Sequence, residues 1–356
     1  MPLRNKAIFS TVVLKIADLV TAGSTSDNQE FYEISIRRNR VGGSSNALFS
    51  RAMRARIKMK RLSGILSPVV TPFRDDLSPD PDRLIKHCKW LLSKNVGLAV
   101  FGTNSEGNSL AVEEKITLLD RLVEAGVNPS RMMPGTGCCA LTDTVRLTAH
   151  AVKLGCAGAL MLPPFYYKSV RDDGIYAHFS EVIERIGSES LRIYLYHIPP
   201  IAEVGFSLDL IERLVTQYPR TVVGIKDSSG EWSNTKLMLE RKWDDFRVFV
   251  GSESFLLANM QSGGAGCISA TANINPAAID RVYQNWQAAD AGDRQDELDA
   301  VRQCVEVYPM IPALKAIVAE STDDEAWRRV RPPLLRLETA QSRALMAALR
   351  ERSWSI

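Results

Sequence analysis

The sequence predicts an α/β protein built as a (β/α)₈ TIM barrel with a C-terminal helical extension. Eight short, largely apolar runs are bounded by turn residues, as is typical of strands buried in a parallel sheet. Amphipathic helix patterns separate these runs, with apolar residues at three- and four-residue spacing. Strands and helices that alternate in this way over residues 61–290 favour a closed barrel. A doubly wound open sheet is the alternative, because periodicity alone does not reveal closure.

The predicted elements follow one another in a regular order. The expected strands are residues 64–70, 98–102, 131–135, 158–162, 192–196, 222–226, 247–251 and 266–269. Helix patterns cover residues 81–93, 112–125, 142–153 and 208–217, among others. Residues 292–306, 309–320 and 331–352 have the pattern of further helices, more than a barrel needs. Residues 291–356 are therefore expected to form a helical extension instead of a second cored domain.

The first 60 residues differ in character from the rest of the chain. Residues 1–61 carry 12 Lys and Arg against 4 Asp and Glu, and Gly–Ser clusters occur at 23–26 and 42–45. A mitochondrial targeting segment has a similar composition. A true start at Met53 or Met59 explains the segment equally well. We expect residues 1–60 to be an N-terminal extension outside the fold, either disordered or the product of a mis-assigned start.

Composition and charge narrow the class of protein. The chain has 356 residues, of which 45% are hydrophobic and 24% charged, as in soluble globular proteins. The residues after 61 carry 32 Lys and Arg against 37 Asp and Glu, so a nucleic-acid interface is not expected. No apolar run is long enough to suggest a transmembrane helix, so no membrane partner is expected. The six cysteines form no C-x-x-C pair, which favours structural thiols in a reduced, cytoplasmic compartment.

Motifs for common cofactors are absent from the sequence. It contains no G-x-G-x-x-G fingerprint, no phosphate-binding P-loop and no paired C-x-x-C motifs. The four histidines, His87, His150, His178 and His197, have no metal-ligand spacing with cysteines or carboxylates. We therefore expect neither a cofactor nor a metal.

Lys226 is the most informative residue at a predicted strand end. Catalytic groups of barrels lie at the carboxyl ends of the strands, and Lys226 ends the sixth expected strand in the run Gly-Ile-Lys-Asp. A lysine that points into an apolar barrel has little water around it, which disfavours its charged form and frees the amine to attack a ketone. The alternative is a surface lysine beside Asp227 in an ordinary turn.

Other polar residues follow neighbouring strands. Tyr196 and His197 end the fifth expected strand. A tyrosine hydroxyl that hydrogen-bonds to a threonine and a second tyrosine could move the protons that imine formation requires. Tyrosines at strand ends also have a simpler interpretation, as amphipathic rings that close the barrel mouth. His197 could line the same site.

Six segments together resemble the dihydrodipicolinate synthase / N-acetylneuraminate lyase family of class I aldolases, from about Leu62 to the C-terminus. Any one of them is a weak signal, but their order and their positions at strand ends are specific. The segments are Gly64-x-x-x-Pro68-x-x-Thr71-Pro72-Phe73, Gly102-Thr103-Asn104-Ser105-Glu106, Pro164-Phe165-Tyr166-Tyr167, Leu195-Tyr196-His197-Ile198-Pro199, Gly224-Ile225-Lys226-Asp227 and Gly266-Cys267-Ile268-Ser269.

The resemblance implies a mechanism and an assembly. Lys226 would form a Schiff base with pyruvate or another 2-oxo acid, and Tyr196 would carry protons. Thr103 would link Tyr196 to Tyr166, which in this family comes from a neighbouring subunit. The chain is thus expected to form a homo-oligomer, a dimer or tetramer. The carboxylate would bind to amides around Thr103 and Asn104 and to the main chain at Ile268, a fixed set of donors aimed at developing charge.

Three departures from the family pattern affect the expected substrate. Ser105 replaces a glycine in the motif after the second strand. The arginine by which dihydrodipicolinate synthases bind their acidic aldehyde is missing from the segment 199–205. Of the acidic pair that sialic-acid lyases carry after strand seven, Glu253 alone is present.

The predicted function is thus a lyase that makes or breaks a C–C bond through a lysine-bound enamine, with Glu253 and His197 as further substrate contacts. Dihydrodipicolinate synthase and a dehydratase of 2-oxo sugar acids are the alternatives within the enzyme class. A non-catalytic protein that binds a 2-oxo acid is the alternative outside it.

Overall fold

The computed structural model describes residues 61–352 and residue 354. Its strands are β1 (Gly64–Ser67), β2 (Gly97–Leu98), β3 (Ala159–Met161), β4 (Ile193–His197), β5 (Val222–Asp227), β6 (Arg247–Val250) and β7 (Gly266–Ile268). They form one parallel sheet in the order β2-β1-β7-β6-β5-β4-β3. The N-terminal extension expected at residues 1–60 lies outside the described residues.

The third expected strand, residues 131–135, is not a regular strand. It forms isolated parallel bridges from Met132 to Leu98 and from Gly135 to Leu160. The amide of Met133 donates to the Leu98 carbonyl at 2.8 Å. Pro134 has no amide proton and interrupts the ladder, which explains why the pairing is not continuous. Because the segment pairs with β2 and with β3, it joins the two ends of the sheet order, as an open sheet would not. The architecture is a TIM-barrel-like α/β fold.

Twelve helices accompany the sheet in the described residues. They are α1 (Pro81–Ser93), α2 (Val112–Glu124), α3 (Leu141–Lys153), α4 (Asp172–Ile186), α5 (Pro199–Ala202), α6 (Leu208–Gln217), α7 (Trp232–Glu240), α8 (Leu256–Gln261), α9 (Pro276–Gln284), α10 (Ala291–Glu306), α11 (Met310–Thr322) and α12 (Thr339–Glu351). The last three form the C-terminal helical region. The expectation of a helix from residue 331 is wrong, because α12 begins at Thr339. Pro332 and Pro333 lack amide protons and restrict the residues before them, so a helix does not form there.

Successive side chains of the strands point to opposite faces of the sheet and pack into two different apolar cores. Ile193 and Leu195 of β4 pack with residues of α4 and α6 on the outer face of the sheet. Tyr194 and Tyr196 point to the opposite face. They share an inner cluster with Ala99, which follows β2, and with one residue from each of the other strands: Leu66, Leu160, Val223, Phe249 and Ile268. Side chains of period two on a strand produce this division, and the inner cluster fills the barrel.

Tyr194 closes the amino-terminal end of the barrel interior. Its ring is fully buried, and its hydroxyl accepts a hydrogen bond from the Leu62 amide at 3.1 Å. Burial raises the pKa of Tyr194 to about 12, so the phenol stays protonated. The carboxyl ends of the strands are therefore the end at which a ligand could enter. Among residues 61–352, no helix is long and apolar enough to cross a membrane.

Candidate active site

Lys226 lies inside the barrel near the carboxyl end of β5. Its side chain is 2% exposed. In the sheet it stands beside Tyr196 of β4 and Phe249 of β6. Both neighbours belong to the inner cluster, and register partners on adjacent strands point to the same face, so the lysine points inward as well. The alternative, a surface lysine in an ordinary turn, is excluded because Lys226 lies within a buried strand.

Lys226, Tyr196 and Thr103 form a chain of polar contacts. Lys226 Nζ donates to the Tyr196 hydroxyl at 3.2 Å. The same hydroxyl lies 3.1 Å from Thr103 Oγ1, and either oxygen could be the donor. Lys226 Nζ also lies 4.3 Å from the centre of the Tyr196 ring. The structure therefore brings together three of the four residues that the sequence predicted as catalytic.

Thr103 and Asn104 begin a short 3₁₀ turn, Thr103–Ser105, directly after β2. The amides of Ser105 and Glu106 donate within the turn, to the carbonyls of Gly102 and Thr103, both at 3.1 Å. Thr71 Oγ1 binds the Ser105 carbonyl at 2.7 Å. The first amides of a helical turn have no acceptor inside it, which leaves those of Thr103 and Asn104 as candidate donors to a carboxylate.

Ile268 ends β7 and belongs to the same inner cluster as Tyr196. It is fully buried. The predicted carboxylate contacts at Thr103, Asn104 and Ile268 therefore come from the carboxyl ends of β2 and β7. Since β1 alone separates β2 from β7 in the sheet, the two turns lie on one side of the barrel mouth.

Tyr166 is apart from the other three predicted catalytic residues. It follows β3 and is 73% exposed, in edge-to-face contact with Tyr167 at 5.3 Å between ring centres. In the part of the chain that the structure describes, no hydrogen bond joins its hydroxyl to Thr103. An exposed aromatic ring at a site mouth is available to another subunit.

His197 lies on the face of β4 opposite to Tyr196. Its Nδ1 accepts a hydrogen bond from the Phe206 amide at 3.0 Å, and its ring packs against Phe206. Burial lowers the pKa of His197, opposed by the negative charge of Asp227, so the neutral ring with its proton on Nε2 fits these contacts. This geometry does not support the predicted contact with substrate, because adjacent residues of a strand point to opposite faces.

Glu253 bonds to groups other than Lys226 in the described residues. Its carboxylate accepts hydrogen bonds from Ser269 and Thr271 and pairs with Arg302 of α10 at 2.7 Å. The side chain is 2% exposed. With both oxygens bonded to protein donors, Glu253 anchors the ends of β6 and β7 to α10. These contacts do not support the predicted role in substrate binding.

Two groups near the site were not predicted. Asp227 accepts hydrogen bonds from the Ser229 amide at 2.9 Å, Asn234 Nδ2 at 3.1 Å and Thr235 Oγ1 at 2.7 Å, which fixes the end of β5. Lys315 of α11 pairs with Glu106 in the turn after Thr103. The sequence did contain a signal for Lys315, because it is the one charged residue in the otherwise apolar run Ala313–Ala319. In residues 61–352 no group of three His, Cys, Asp or Glu side chains could hold a metal ion.

Comparison with known proteins assigns the family. The profile of the dihydrodipicolinate synthetase family matches residues 61–352. The chain is 34% identical over 288 residues to an uncharacterized DapA-like lyase of Chloroflexus aurantiacus, which covers 80% of this chain and 95% of the relative. It is 29% identical over 296 residues to a 4-hydroxy-tetrahydrodipicolinate synthase of Agrobacterium fabrum, which covers 81% of this chain and 97% of the relative.

Solved structures agree with this assignment. The crystal structure of dihydrodipicolinate synthase from Agrobacterium tumefaciens is similar, with a TM-score of 0.75 and 32% identity over 81% of this chain and 98% of the other. YagE of E. coli, solved in complex with pyruvate, shares the fold with a TM-score of 0.76 and 23% identity, over 82% and 99% of the two chains. The chain belongs to the dihydrodipicolinate synthetase family and is a lyase of the pyruvate-dependent class I aldolase type.

Proposed function

We propose that the enzyme condenses Lys226 with the ketone of pyruvate, or of a 2-oxo acid that contains a pyruvyl unit, and makes or breaks a C–C bond through the resulting enamine. The observation that carries the proposal is the contact series from Lys226 Nζ to the Tyr196 hydroxyl and on to Thr103 Oγ1. An amine, a phenol and an alcohol in hydrogen-bond reach of one another are the groups that imine chemistry needs.

The residues divide the proton transfers between them. The neutral Lys226 amine attacks the ketone carbon, and a proton passes from nitrogen to the new alkoxide through Tyr196, which gives a carbinolamine. The Tyr196 hydroxyl then gives its own proton to the carbinolamine hydroxyl, which leaves as water; the C=N bond forms and a phenolate remains. The protonated imine accepts the electron pair of the C3–H bond, the phenolate takes the C3 proton, and an enamine results. In the cleavage direction the C3–C4 bond supplies the electron pair, and the phenolate takes the proton of the C4 hydroxyl as the aldehyde leaves. Thr103 holds the Tyr196 hydroxyl in place throughout.

Borohydride trapping tests the proposal directly. The full chain is incubated with pyruvate, reduced with borohydride and measured by intact mass spectrometry. We expect one reduced pyruvyl adduct per chain, and none in Lys226→Ala. Lys168→Ala is the matched control, because this exposed lysine of the loop after β3 bonds only to the carbonyls of Phe165 and Ala202. An adduct that persists in Lys226→Ala would overturn the proposal, as would a wild-type chain without adduct.

The second substrate is proposed to be a neutral aldehyde. Several relatives are named 4-hydroxy-tetrahydrodipicolinate synthase, which favours that activity as the second candidate. The segment after β4 argues against the synthase activity. Ile201 of α5 and the acidic Glu203, which follows α5, are both exposed there. An acidic side chain near the mouth repels an acidic aldehyde.

Competition between aldehydes distinguishes these two candidates. Pyruvate consumption is measured with neutral hydroxyaldehydes and with aldehydes that carry a carboxylate. We expect faster turnover with the neutral aldehydes, and Glu203→Gln is expected to raise the rate with the acidic ones. Faster turnover of aspartate semialdehyde than of any neutral aldehyde would instead support the synthase.

A further inference from the structure

A buried ion pair ties the turn that carries Thr103 to the C-terminal helical region. Glu106 follows the turn and is 3% exposed, and Lys315 of α11 is fully buried. One carboxylate oxygen of Glu106 accepts from the Lys315 ammonium. The other accepts from the backbone amide of Arg331 at 2.9 Å. The turn is therefore held by residues more than 200 positions away in the sequence.

The turn requires an external support. Glu106 has a left-handed backbone conformation, with φ of 54°, and so has Phe101 just before the turn, with φ of 65°. For residues other than glycine this conformation is unfavourable, and it persists where surrounding contacts hold it. Inside the turn there are two 3₁₀ hydrogen bonds, and the Gly107 amide donates to the Gly102 carbonyl across it at 3.1 Å. A single turn of this kind is a weak element by itself.

Lys315 is surrounded by groups that fix its position. Its ammonium donates to the Arg329 carbonyl at 2.5 Å as well as to Glu106, and lies 4.4 Å from the centre of the Phe73 ring. Burial lowers the pKa of Lys315 to about 8, opposed by the negative charge of Glu106. A buried ion pair is often no more stabilising than an apolar pair of the same volume. Stability alone therefore does not explain why an ion pair occupies this position.

Glu106 is connected to the predicted catalytic residues through Thr103. Glu106 lies three residues after Thr103, and its amide donates to the Thr103 carbonyl at 3.1 Å. Thr103 in turn contacts the hydroxyl of Tyr196 at 3.1 Å. A displacement of Glu106 would therefore move both the predicted relay and the amides of Thr103 and Asn104.

We propose that Lys315 and Glu106 are positioning residues, which hold the Thr103 turn at the geometry that binds pyruvate and orients Tyr196. The inference rests on the proposed function. It assigns the C-terminal helical region a part in catalysis, although α11 contributes no residue to the contact series around Lys226.

The test compares Glu106→Gln and Lys315→Met with wild type. The initial rate of borohydride-trapped adduct is measured against pyruvate concentration, at a temperature where circular dichroism shows each protein folded. We expect the half-saturating pyruvate concentration to rise about tenfold in both variants, because small displacements of catalytic groups have large effects. Arg294→Gln on α10 is the matched control, since its pair with Asp290 is exposed, and it should match wild type.

A second arm asks whether the pair acts through Thr103. Glu106→Gln alone should also lower the maximal trapping rate, because it displaces the relay. In a Thr103→Val background the relay is already broken, so Glu106→Gln should lower that maximal rate by less than about twofold further, while it still raises the half-saturating concentration through the displaced amides. Full additivity in the maximal rate would overturn the inference, as would folded variants with the pyruvate dependence of wild type.

Two further results are equally decisive. Should Lys315→Met fail to fold, Glu106→Gln decides, because glutamine keeps an acceptor for the Arg331 amide and a neutral Lys315 needs no counter-charge. A wild-type chain that forms no adduct overturns the proposed function together with this inference. Normal trapping in wild type with unchanged variants overturns this inference alone.

Discussion

Tyr196 connects the other two residues of the contact series. Its hydroxyl is within 3.2 Å of Lys226 Nζ and 3.1 Å of Thr103 Oγ1. The ring is almost fully buried among the apolar residues of the inner cluster, which holds the hydroxyl in position. A hydroxyl held in this way can donate and accept in turn, as proton transfer at an imine requires.

Tyr196→Phe removes that hydroxyl and keeps the ring. We expect turnover to fall by roughly 10²–10⁴-fold, the usual loss when a positioned proton carrier is removed. The unfolding midpoint should change little, because the volume of the inner cluster is preserved. Steady-state kinetics with pyruvate and thermal unfolding measure the two effects. Turnover within a few-fold of wild type would remove Tyr196 from the mechanism.

At the scale of elements, α1 is joined to the turn after β7 by a buried histidine. His87 of α1 lies 3.2 Å from Oδ1 of Asn273, which also accepts from the Val70 amide. Since Oδ1 is an acceptor, the neutral ring donates through Nε2. Trp90 stacks on the imidazole, and Trp327 meets it edge to face. Burial lowers the pKa of His87 from 6.5 to about 4, so it stays neutral in the folded protein.

This shift predicts a loss of stability in acid. As the pH falls from about 6.5 toward 4, the unfolded chain binds a proton at this histidine and the folded chain does not, so the free energy of unfolding decreases. His87 should contribute about 2 kcal/mol of that decrease between about pH 7 and pH 5. Denaturant unfolding measures the free energy of unfolding at the two pH values in wild type and in His87→Gln. The difference between the two proteins separates the contribution of His87 from that of the other histidines. An equal decrease in both proteins would contradict the prediction.

At the scale of the whole molecule, several of the large exposed apolar residues follow β3 and β4 at the carboxyl end of the barrel. Tyr166 and Tyr167 are 73% and 72% exposed, and Ile201 of α5 is 61% exposed. Large aromatic side chains at this exposure are typical of protein interfaces. We propose that a second copy of the chain covers this surface and that Tyr166 completes the relay of its partner, where it reaches the turn of Thr103.

Subunit complementation tests the exchange of Tyr166. Tyr166→Phe and Lys226→Ala should each be nearly inactive as homo-oligomers. When the two variants are unfolded together, refolded and assembled, hybrids combine the lysine of one chain with the tyrosine of the other. We expect partial recovery of turnover in the mixture, while each variant refolded alone stays inactive. No recovery in hybrids detected by native mass spectrometry would mean that Tyr166 acts within its own chain or not at all.

The sequence by itself determined the alternation of strands and helices and the inward direction of Lys226 and Tyr196. Both follow from local periodicity, since every second residue of a strand shares a face, and the strand ends were recognisable from the turn residues beside them. The errors in the predicted strands and helices also have local causes. Pro134 and the pair Pro332–Pro333 interrupt regular structure that the apolar pattern alone suggested.

Only the tertiary structure decided which polar residues reach the site. His197 follows Tyr196 directly, yet it bonds to Phe206 on the outer face, and Glu253 is bonded to Arg302 of α10. Glu106 pairs with Lys315, which lies 209 positions later in the sequence. Beyond a strand end, a side chain takes the direction that satisfies its charge or hydrogen bonds. Its partners come from distant helices whose packing no local pattern encodes.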